Sequence, residues 1–462
     1  MAEKSAIPVE LGTEPIGKLL KNYAVPAIIA MTASSLYNII DSIFIGHGVG
    51  PLAIAGLAVT FPLMNLSAAF GTLVGVGATT LVSVLLGQKN YEVANKVLGN
   101  VVILNTVIGL LFMTAALVFL DPILYFFGAS ENTIIYAREY MRIILAGNAI
   151  THLYLGLNSV LRASGQPKMA MFLTILSVLI NTAVAPVLIF GLDMGISGAA
   201  IATVLAQTVS LAVILKHFSN QEGVLHFSRK IFRIDWRIAK DSLAIGLAPF
   251  LMNSAACIVT LFINQQLKKY GGDLAIGAYG IVNRISFLFI MINMGFNQGM
   301  QPIAGYNYGR RNYTRVKAVM WTTVKYATAV TCTGFLIAMF FPHQAVSIFT
   351  SDPQLIEFAS KGLRMLTLAF PFVGFQMVSS NFFQCLGMVN KAILLSMSRQ
   401  ILFLIPCVYI LPRIFGNIGV WISFPIADFA AFVIAAVLMA GILRKFRKLN
   451  DGDDPSILGS KL

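Results

Sequence analysis

Residues 98–120 read LGNVVILNTVIGLLFMTAALVFL, a run without a charged side chain. A helix of about 20 such residues crosses the roughly 30 Å hydrocarbon core of a bilayer. Similar runs recur along the whole chain, so the sequence predicts an all-α, polytopic membrane protein with twelve spans. The apolar segments lie at about residues 23–46, 52–86, 98–120, 143–161, 169–191, 196–215, 243–266, 274–305, 318–341, 365–386, 392–411 and 418–443.

The composition excludes a water-soluble globule. Of the 462 residues, 57% are hydrophobic and only 11% are charged, against about 25% charged in ordinary soluble domains. The formal net charge is +14, but the basic residues stand in short connectors between apolar runs. That placement is typical of membrane topology and not of a nucleic-acid surface, so we expect no nucleic-acid partner.

Basic residues concentrate on one side of the predicted spans. Lys18, Lys21, Arg162 and Lys168 lie in connectors on that side, whereas the connector at residues 46–51 contains no Lys or Arg. The positive-inside rule assigns the basic side to the cytoplasm. With an even number of spans, both termini lie there, and we expect a multi-pass protein of the cell inner (plasma) membrane.

The longest polar connector, residues 216–241, interleaves basic residues with apolar ones such as Phe232 and Trp236. This pattern is compatible with an amphipathic helix on the anionic inner leaflet. It is equally compatible with a solvated linker between two halves.

The two halves of the chain repeat each other. The motif Gly-x-x-Asn-Tyr occurs at residues 87–91 and at residues 309–313, a displacement of 309 − 87 = 222 residues. At the same displacement Gly165 falls on Gly387. The sequence therefore indicates a duplication of six spans.

Because each half has an even number of spans, both copies begin on the same side and form parallel repeats. We predict two pseudo-symmetric six-helix bundles, an N-terminal lobe at residues 1–220 and a C-terminal lobe at residues 221–462. Two lobes that rock against each other provide alternating access, which a secondary transporter requires.

Polar residues inside apolar spans are costly and are therefore candidates for function. In the first span, Asn38 and Asp41 lie one helical turn apart on one face. A carboxylate in apolar surroundings can bind and release a proton, or coordinate Na⁺ together with amide oxygens. The alternative is that Asp41 lies near the outer helix end and reaches water. In the fifth and sixth spans, Asn181 and Thr203 are either ligands or interhelical hydrogen-bond partners.

The second half has a different set of polar residues. Arg284 lies in the predicted eighth span, Arg399 in the eleventh and Asp428 in the twelfth. A contact of Arg399 or Arg284 with Asp428 would neutralise both charges, in a structural or a coupling role. Met291 and neighbouring Phe residues suit a wall for bulky, flat or cationic ligands, or contacts with lipid and other helices.

No nucleotide-binding or hydrolase motif stands in a suitable context, and His and acidic residues do not converge in several spans. We therefore expect no enzyme, no catalytic residues, no metal site and no cofactor. The energy source is expected to be an ion gradient.

Several motifs resemble those of the multidrug and toxic compound extrusion (MATE) family, in particular its bacterial MepA-like and DinF-like branches. The resemblance extends over nearly the whole chain. The motifs are SLYNIIDSIFIG at residues 35–46, QGMQPI at 298–303, SRQ at 398–400 and FPIAD at 424–428.

The resemblance implies a V-shaped pair of six-helix bundles that exports amphipathic, often cationic drugs or toxins in exchange for H⁺ or Na⁺. It implies an ion-coupling site in the N-terminal lobe at Asp41, Asn158, Asn181 and Thr203. For substrate binding, we expect a contribution from six residues of the two lobes. These are Tyr37, Asn38, Arg284, Met291, Arg399 and Asp428.

One position departs from the family pattern, which commonly has Asn, three residues, Asp and Pro in the fifth span. Here Asn181 and Pro186 match, but Ala185 occupies the position of the acid. Coupling is then weakened, altered or carried by Asp41 alone.

The leading hypothesis is thus a cation-coupled multidrug antiporter, active as a monomer in the lipid bilayer on amphipathic organic cations. A flippase for a lipid-linked saccharide is the alternative, since Arg284 and Arg399 could contribute to a cationic cavity for pyrophosphate. A channel or an intramembrane enzyme is a third alternative, but uphill transport would exclude a channel.

Overall fold

The structure, a computed structural model, describes residues 8–458, and the side chains of Asn38, Pro51 and Asp273 lie outside that description. Within residues 8–458 the regular secondary structure is helical, without strands. Ten of these helices are long and apolar enough to cross a membrane, and two bent helix pairs raise the number to twelve. The prediction of an all-α protein with twelve spans is confirmed.

The twelve spans are numbered in chain order, and the fourth and the tenth are the bent pairs. Short helices lie outside them at Glu10–Thr13, Leu120–Phe126 and Pro342–Ser347. The bounds of the spans are Ile16–Gly48, Leu52–Gly87, Tyr91–Val118, Ile134–Ala146 with Asn148–Ala163, Pro167–Gly191, Gly195–Ser219, Trp236–Gly272, Leu274–Gly309, Tyr313–Phe340, Pro353–Thr367 with Phe370–Cys385, Val389–Phe415 and Asn417–Phe446.

The repeated Gly-x-x-Asn-Tyr motif forms the same turn twice. Asn90 and Asn312 each cap the helix that follows, accepting a hydrogen bond from the backbone N–H three residues later at 3.3 and 3.1 Å. The residue before each cap, Lys89 or Arg311, has a φ of 60°, in the left-handed region that few non-glycine residues adopt. The repeat read from the sequence is therefore also a repeat of local structure.

The chain divides into two compact units by its internal contacts. The amino unit comprises the residues up to Leu11 together with Ile29–Phe250, and the carboxy unit comprises Gly12–Ile28 together with the residues from Leu251 onward. These bounds differ from the predicted lobes at residues 1–220 and 221–462. The difference concerns the start of the first span and the start of the seventh.

Glycines explain how these two helix starts pack. A Cβ atom added to Gly77 would lie 1.8 Å from the Ser242 carbonyl oxygen, and one added to Gly246 would lie 1.7 Å from the Leu73 carbonyl oxygen. Only glycine permits so close a contact between the second and seventh spans. In the carboxy unit, Gly299 lets the eighth span approach the backbone of the first span in the same way.

The fourth and tenth spans each consist of two helices that meet at a break of 56° and 51°. The first helices of the pairs, Ile134–Ala146 and Pro353–Thr367, carry polar residues on one face and are buried on the other. The predicted segments at 143–161 and 365–386 omitted these amphipathic halves because they are not continuously apolar.

Two spans contain a wide, π-helical turn. In the fifth span it covers Val187–Gly191, directly after Pro186, and in the eleventh it covers Ser398–Leu404, just before Pro406. Proline disrupts the regular hydrogen-bond ladder of a helix, and π-turns often occur at functional sites. The sequence indicated an irregularity at Pro186, whereas the one at Ser398–Leu404 was not foreseen.

The long connector packs onto the start of the third span in the amino unit. The Asn95 side chain bonds the backbone of residues 224 and 226 at 3.0 and 2.8 Å, and Asn100 bonds that of residue 235 at 3.2 Å. Between them, Gly99 leaves room for the Ile231 carbonyl oxygen. Within the connector the structure has one 3-10 turn, Arg229–Ile231. The amphipathic helix predicted for this segment is therefore not formed between residues 220 and 235, whereas the exposed residues 232–237 agree with a solvated linker.

Candidate functional site

In the amino unit, three spans contribute one hydrogen-bonded group of side chains. The Tyr37 hydroxyl lies 2.6 Å from the Thr203 hydroxyl, and the Asn181 amide nitrogen lies 3.0 Å from Thr203 and 3.4 Å from Tyr37. The Thr203 hydroxyl donates its single proton to the Ala199 carbonyl oxygen at 3.0 Å. Tyr37 must therefore donate to Thr203, whose oxygen accepts from both neighbours.

Asp41 follows Tyr37 by one turn of the first span. Its residue surface is 4% exposed, and its Oδ1 atom has no hydrogen-bond partner within the described part of the chain. Tyr37 and Tyr140 lie close enough to interact electrostatically with its carboxyl group. The alternative in which Asp41 reaches water is thus wrong, and the site contains a buried carboxyl group whose Oδ1 has no partner among the described side chains.

Ala185, at the position where the family pattern has an acid, is fully buried. It belongs to an apolar cluster of the amino unit that includes Ile189, Ala199 and Ala200. The surroundings of position 185 are therefore apolar, and Asp41 has no neighbouring carboxylate from this span.

Asn158 has different partners from the other predicted coupling residues. Its amide nitrogen donates to the Ala170 carbonyl oxygen at 3.0 Å, and its Oδ1 accepts from Arg162 at 2.8 Å. Arg162 also donates to Ser159 at 3.0 Å. These bonds connect the fourth span to the fifth, and the structure does not join Asn158 to the group around Thr203. Its role in coupling stays a prediction.

A second polar group of the amino unit was not among the predicted sites. Ser67 donates to the Asn148 amide oxygen, and Asn148 donates to the Gly109 carbonyl oxygen at 3.2 Å. The His152 Nε2 atom lies 3.3 Å from the Ser67 hydroxyl and must donate to it, because the Ser67 proton is already engaged. Asn148 and His152 are four residues apart inside an apolar span, and that spacing was the available signal.

The carboxy unit contains a buried ion pair. Nε of Arg399, in the π-helical turn of the eleventh span, donates to Oδ1 of Asp428 on the twelfth. Tyr279 stacks on Phe424 at 5.9 Å between ring centroids and meets Trp421 edge-on at 6.2 Å. Its ring is close enough to Arg399 for an electrostatic interaction. The predicted contact between Arg399 and Asp428 is confirmed, and Arg284 is not its partner.

Of the remaining substrate-binding predictions, Arg284 and Met291 are not placed in either of these two hydrogen-bonded groups. Arg284 is exposed on the surface of the eighth span, and Met291 is half-buried on the same helix. The Asn38 side chain lies outside the described residues. A role in substrate binding stays a prediction for all three residues.

Comparison with known proteins identifies relatives along nearly the whole chain. A family model described as MatE matches residues 26–187 and 244–410. The multidrug export protein MepA of Staphylococcus haemolyticus (strain JCSC1435) is 28% identical over 424 residues, which cover 92% of this chain and 93% of MepA. MepA of Staphylococcus aureus (strain MRSA252) is 27% identical over 430 residues, covering 93% and 94%.

Solved structures of transporters match the fold. One, described as the outward-facing conformation of a multidrug resistance MATE family transporter of the MOP superfamily, superposes with a TM-score of 0.88 at 25% identity, covering 96% of this chain and 99% of that one. A MOP superfamily transporter from Pyrococcus furiosus Vc1 (DSM3638) gives 0.89 at 25% identity with the same coverage.

Proposed function

The chain belongs to the MatE family, the multidrug and toxic compound extrusion transporters that its motifs resemble, and we propose that it is a secondary antiporter. It exports amphipathic, often cationic organic compounds by alternating access in exchange for a coupling cation. Its relatives are transporters and multidrug exporters, which supports a transporter and not an enzyme.

The proposal rests mainly on the burial of the Asp41 carboxyl group. A carboxyl group 4% exposed in an apolar span, with an unpartnered Oδ1 among the described residues, is costly to keep charged. Binding of a proton or a cation removes that cost. Such a group alternates between a neutral, occupied state and a charged, empty state, as coupling requires.

We propose H⁺ as the coupling ion. A bound Na⁺ needs several oxygen ligands, but the Thr203 oxygen already accepts two hydrogen bonds and donates a third. Among the described side chains of this group, the Asp41 carboxylate and the Asn181 carbonyl oxygen are the acceptors that remain. This small number of ligands supports a proton over Na⁺.

In the proposed cycle, the deprotonated Asp41 attracts a cationic substrate from the cytoplasmic side. Release of the substrate outside leaves the carboxylate exposed to protons, and the protonated, neutral carboxyl favours return to the inward-facing state. Each ligand shifts the population of states by its differential affinity for them. Substrate and proton therefore compete through one group.

The test uses purified protein in liposomes and follows a fluorescent organic cation under an imposed pH gradient and then under an imposed Na⁺ gradient. Uphill movement is expected under the pH gradient. Asp41→Asn should abolish it, because an amide cannot exchange a proton, while Glu357→Gln, which removes an exposed surface carboxylate paired with Lys361, should retain it. Unchanged transport in Asp41→Asn would contradict the assignment, and movement under the Na⁺ gradient alone would replace H⁺ by Na⁺.

The flippase alternative is not favoured, because the relatives of the chain are multidrug exporters. For this protein we further propose a monomer in the cell inner (plasma) membrane, with both termini cytoplasmic. The distribution of basic connectors supports that orientation. Single cysteines introduced at positions 217 and 311 test this orientation. Each is labelled from either side of sealed vesicles.

A further inference from the structure

The segment that follows the twelfth span folds back onto the turn between the eighth and ninth spans. The Gly452 N–H donates to the Arg311 carbonyl oxygen at 2.9 Å, and the Tyr313 hydroxyl donates to the Asp453 carbonyl oxygen at 2.7 Å. Both the segment and the turn belong to the carboxy unit. We call residues 450–458 the strap.

The strap places a carboxylate at the start of the ninth span. Oδ1 of Asp451 accepts a hydrogen bond from the Thr314 backbone N–H at 2.9 Å, and Thr314 lies in the first turn of that helix. The start of a helix has free N–H groups and a partial positive charge, so a carboxylate is stabilising there. The ninth span has no acidic residue of its own in this turn.

The first repeat has its own acid at the corresponding position. At the displacement of the repeat, Thr314 falls on Glu92 (314 − 222 = 92), which lies in the first turn of the third span and pairs with Lys96 at 3.0 Å. The second repeat has threonine instead, and its carboxylate comes from a segment more than one hundred positions away in the chain. The acid of the second repeat can therefore leave the helix start, whereas Glu92 cannot.

The charged contacts of the strap face solvent. The Arg311 and Asp454 side chains lie 3.7 Å apart and are 48% and 68% exposed, and each of residues 450–454 is exposed. Exposed ion pairs contribute little stability, and salt screens them over a distance of about 8 Å at physiological ionic strength. The contacts that hold residues 450–454 therefore weaken as the salt concentration rises.

The ends of the strap are held by apolar contacts. Before it, Phe446 at the end of the twelfth span is fully buried and packs against Tyr313 at 5.8 Å between ring centroids. Beyond its charged middle, Leu458 in the short 3-10 turn Pro455–Leu458 is 1% exposed. Salt does not screen apolar contacts, so the middle of the strap can open while both ends stay attached.

We propose that the strap is a salt-sensitive closure, in which residues 450–454 cover the start of the ninth span at low ionic strength and release it as ionic strength rises. Closed, it completes a helix start that lacks its own acid. Open, it exposes the Thr314 N–H and the Arg311 side chain. The device goes beyond the proposed antiport and does not depend on the coupling ion. On the proposed cytoplasmic side, it makes the carboxy unit responsive to the ionic strength of the cytoplasm.

Hydrogen–deuterium exchange of the purified full chain, read by mass spectrometry of its peptides, tests the closure. Exchange is compared at about 0.05 M and about 0.5 M NaCl, which shortens the Debye length severalfold. In peptides that cover residues 311–318 and 450–454, we expect exchange to rise about threefold with salt, the size expected for screening one or two exposed ion pairs. The peptide that covers residues 89–96, whose acid belongs to its own helix, is the internal control and should change much less.

Charge variants assign the effect to Asp451. Asp451→Asn keeps an acceptor oxygen but removes the charge, so exchange at low salt should rise towards the level at high salt, and most of the salt dependence should disappear. Asp453→Asn is the matched control, because it removes the same charge from a carboxylate that bonds the Asn450 N–H within the strap. It should retain the salt dependence.

A pair of variants at Thr314 separates the strap from the helix start. Thr314→Glu supplies the acid of the first repeat and brings two carboxylates to one helix start. Like-charge repulsion should then speed exchange at residues 450–454, while residues 311–318 stay protected. Thr314→Gln has the same length without the charge and should leave the strap closed. Thermal unfolding identifies variants that do not fold, and if Asp451→Asn is one of them, the two Thr314 variants decide.

Three outcomes would overturn the inference. Exchange that does not respond to salt at residues 311–318 and 450–454 would make the strap a fixed part of the fold. An equal rise at residues 89–96 would indicate a general loosening by salt. Undiminished salt dependence in Asp451→Asn would show that its carboxylate does not hold the strap. None of these measurements involves transport, so the closure and the antiporter stand or fall separately.

Discussion

Thr203 is the residue on which the polar group of the amino unit depends, since it accepts hydrogen bonds from Tyr37 and Asn181. We predict that Thr203→Val, which preserves shape, lowers the free energy of unfolding by about 1–2 kcal/mol, because two buried donors lose their acceptor. Gradient-driven transport should also decrease as the surroundings of Asp41 loosen. Unfolding in mixed micelles and the liposome assay measure the two effects.

Thr203→Ser is the matched control for this prediction. Serine keeps the hydroxyl and loses only a methyl group, so stability and transport should remain close to those of the unmodified protein. Equal losses in both variants would show that the methyl group matters and that the hydrogen bonds do not.

At single positions, the sequence predicted which residues are polar and buried but not which of them meet. Asp41, Asn181 and Thr203 stand out as polar residues in apolar runs, and the structure brings Asn181 and Thr203 together. Asn158 looked equivalent but bonds Arg162. Spacing along one span defines a helical face and does not define the span that this face contacts, so partners between distant segments could not be predicted.

The repeated Gly-x-x-Asn-Tyr motif places a helix cap at Asn90 and again at Asn312. We predict that Asn90→Ala and Asn312→Ala each lower the free energy of unfolding by about 1 kcal/mol, because each removes the acceptor for one free backbone N–H at a helix start. The losses should add in the double variant, since the two turns share no partner. Unfolding in mixed micelles tests all three proteins.

Asp at either position accepts the same hydrogen bond and should restore stability. If Asn90→Asp were as unstable as Asn90→Ala, the side chain would act through a contact other than the cap. The comparison therefore separates capping from packing of the turn.

Element boundaries were predictable where the chain is continuously apolar and not where it is amphipathic. The fifth span, predicted at residues 169–191 and found at Pro167–Gly191, was identified almost to its ends, whereas the first helices of the fourth and tenth spans were missed. The π-turn at Ser398–Leu404 has no distinct composition, and Pro406, two residues after it, was its only signal in the sequence. Geometry of this kind depends on packing and leaves little trace in a hydropathy pattern.

For the whole molecule, hydropathy and the duplication were sufficient to predict the fold. In a membrane, a helix is the main structure in which the backbone N–H and C=O groups of a spanning segment are all hydrogen-bonded. The compact units were not predictable in detail. Residues 12–28 pack within the carboxy unit because of glycines such as Gly295 and Gly299 on the eighth span. A glycine in an apolar run does not reveal which helix approaches it.

The charge balance of the whole cycle follows from the number of buried acids. Among the described residues, Asp41 and Asp428 are the buried carboxylates, and Asp428 is neutralised by Arg399. One acid is then left to exchange one proton per cycle. Export of a monovalent organic cation against one proton moves no net charge, so we predict an electroneutral exchange.

An electroneutral exchange responds to the pH gradient and not to the membrane potential. In liposomes with valinomycin, a K⁺ diffusion potential without a pH gradient should drive no accumulation of a monovalent cation, whereas a pH gradient at zero potential should drive it fully. A divalent organic cation exchanged for one proton carries one net charge, so its transport should become sensitive to the potential. Accumulation of the monovalent cation under the potential alone, above that in protein-free liposomes, would require a second exchanging proton and would contradict Asp41 as the single coupling acid.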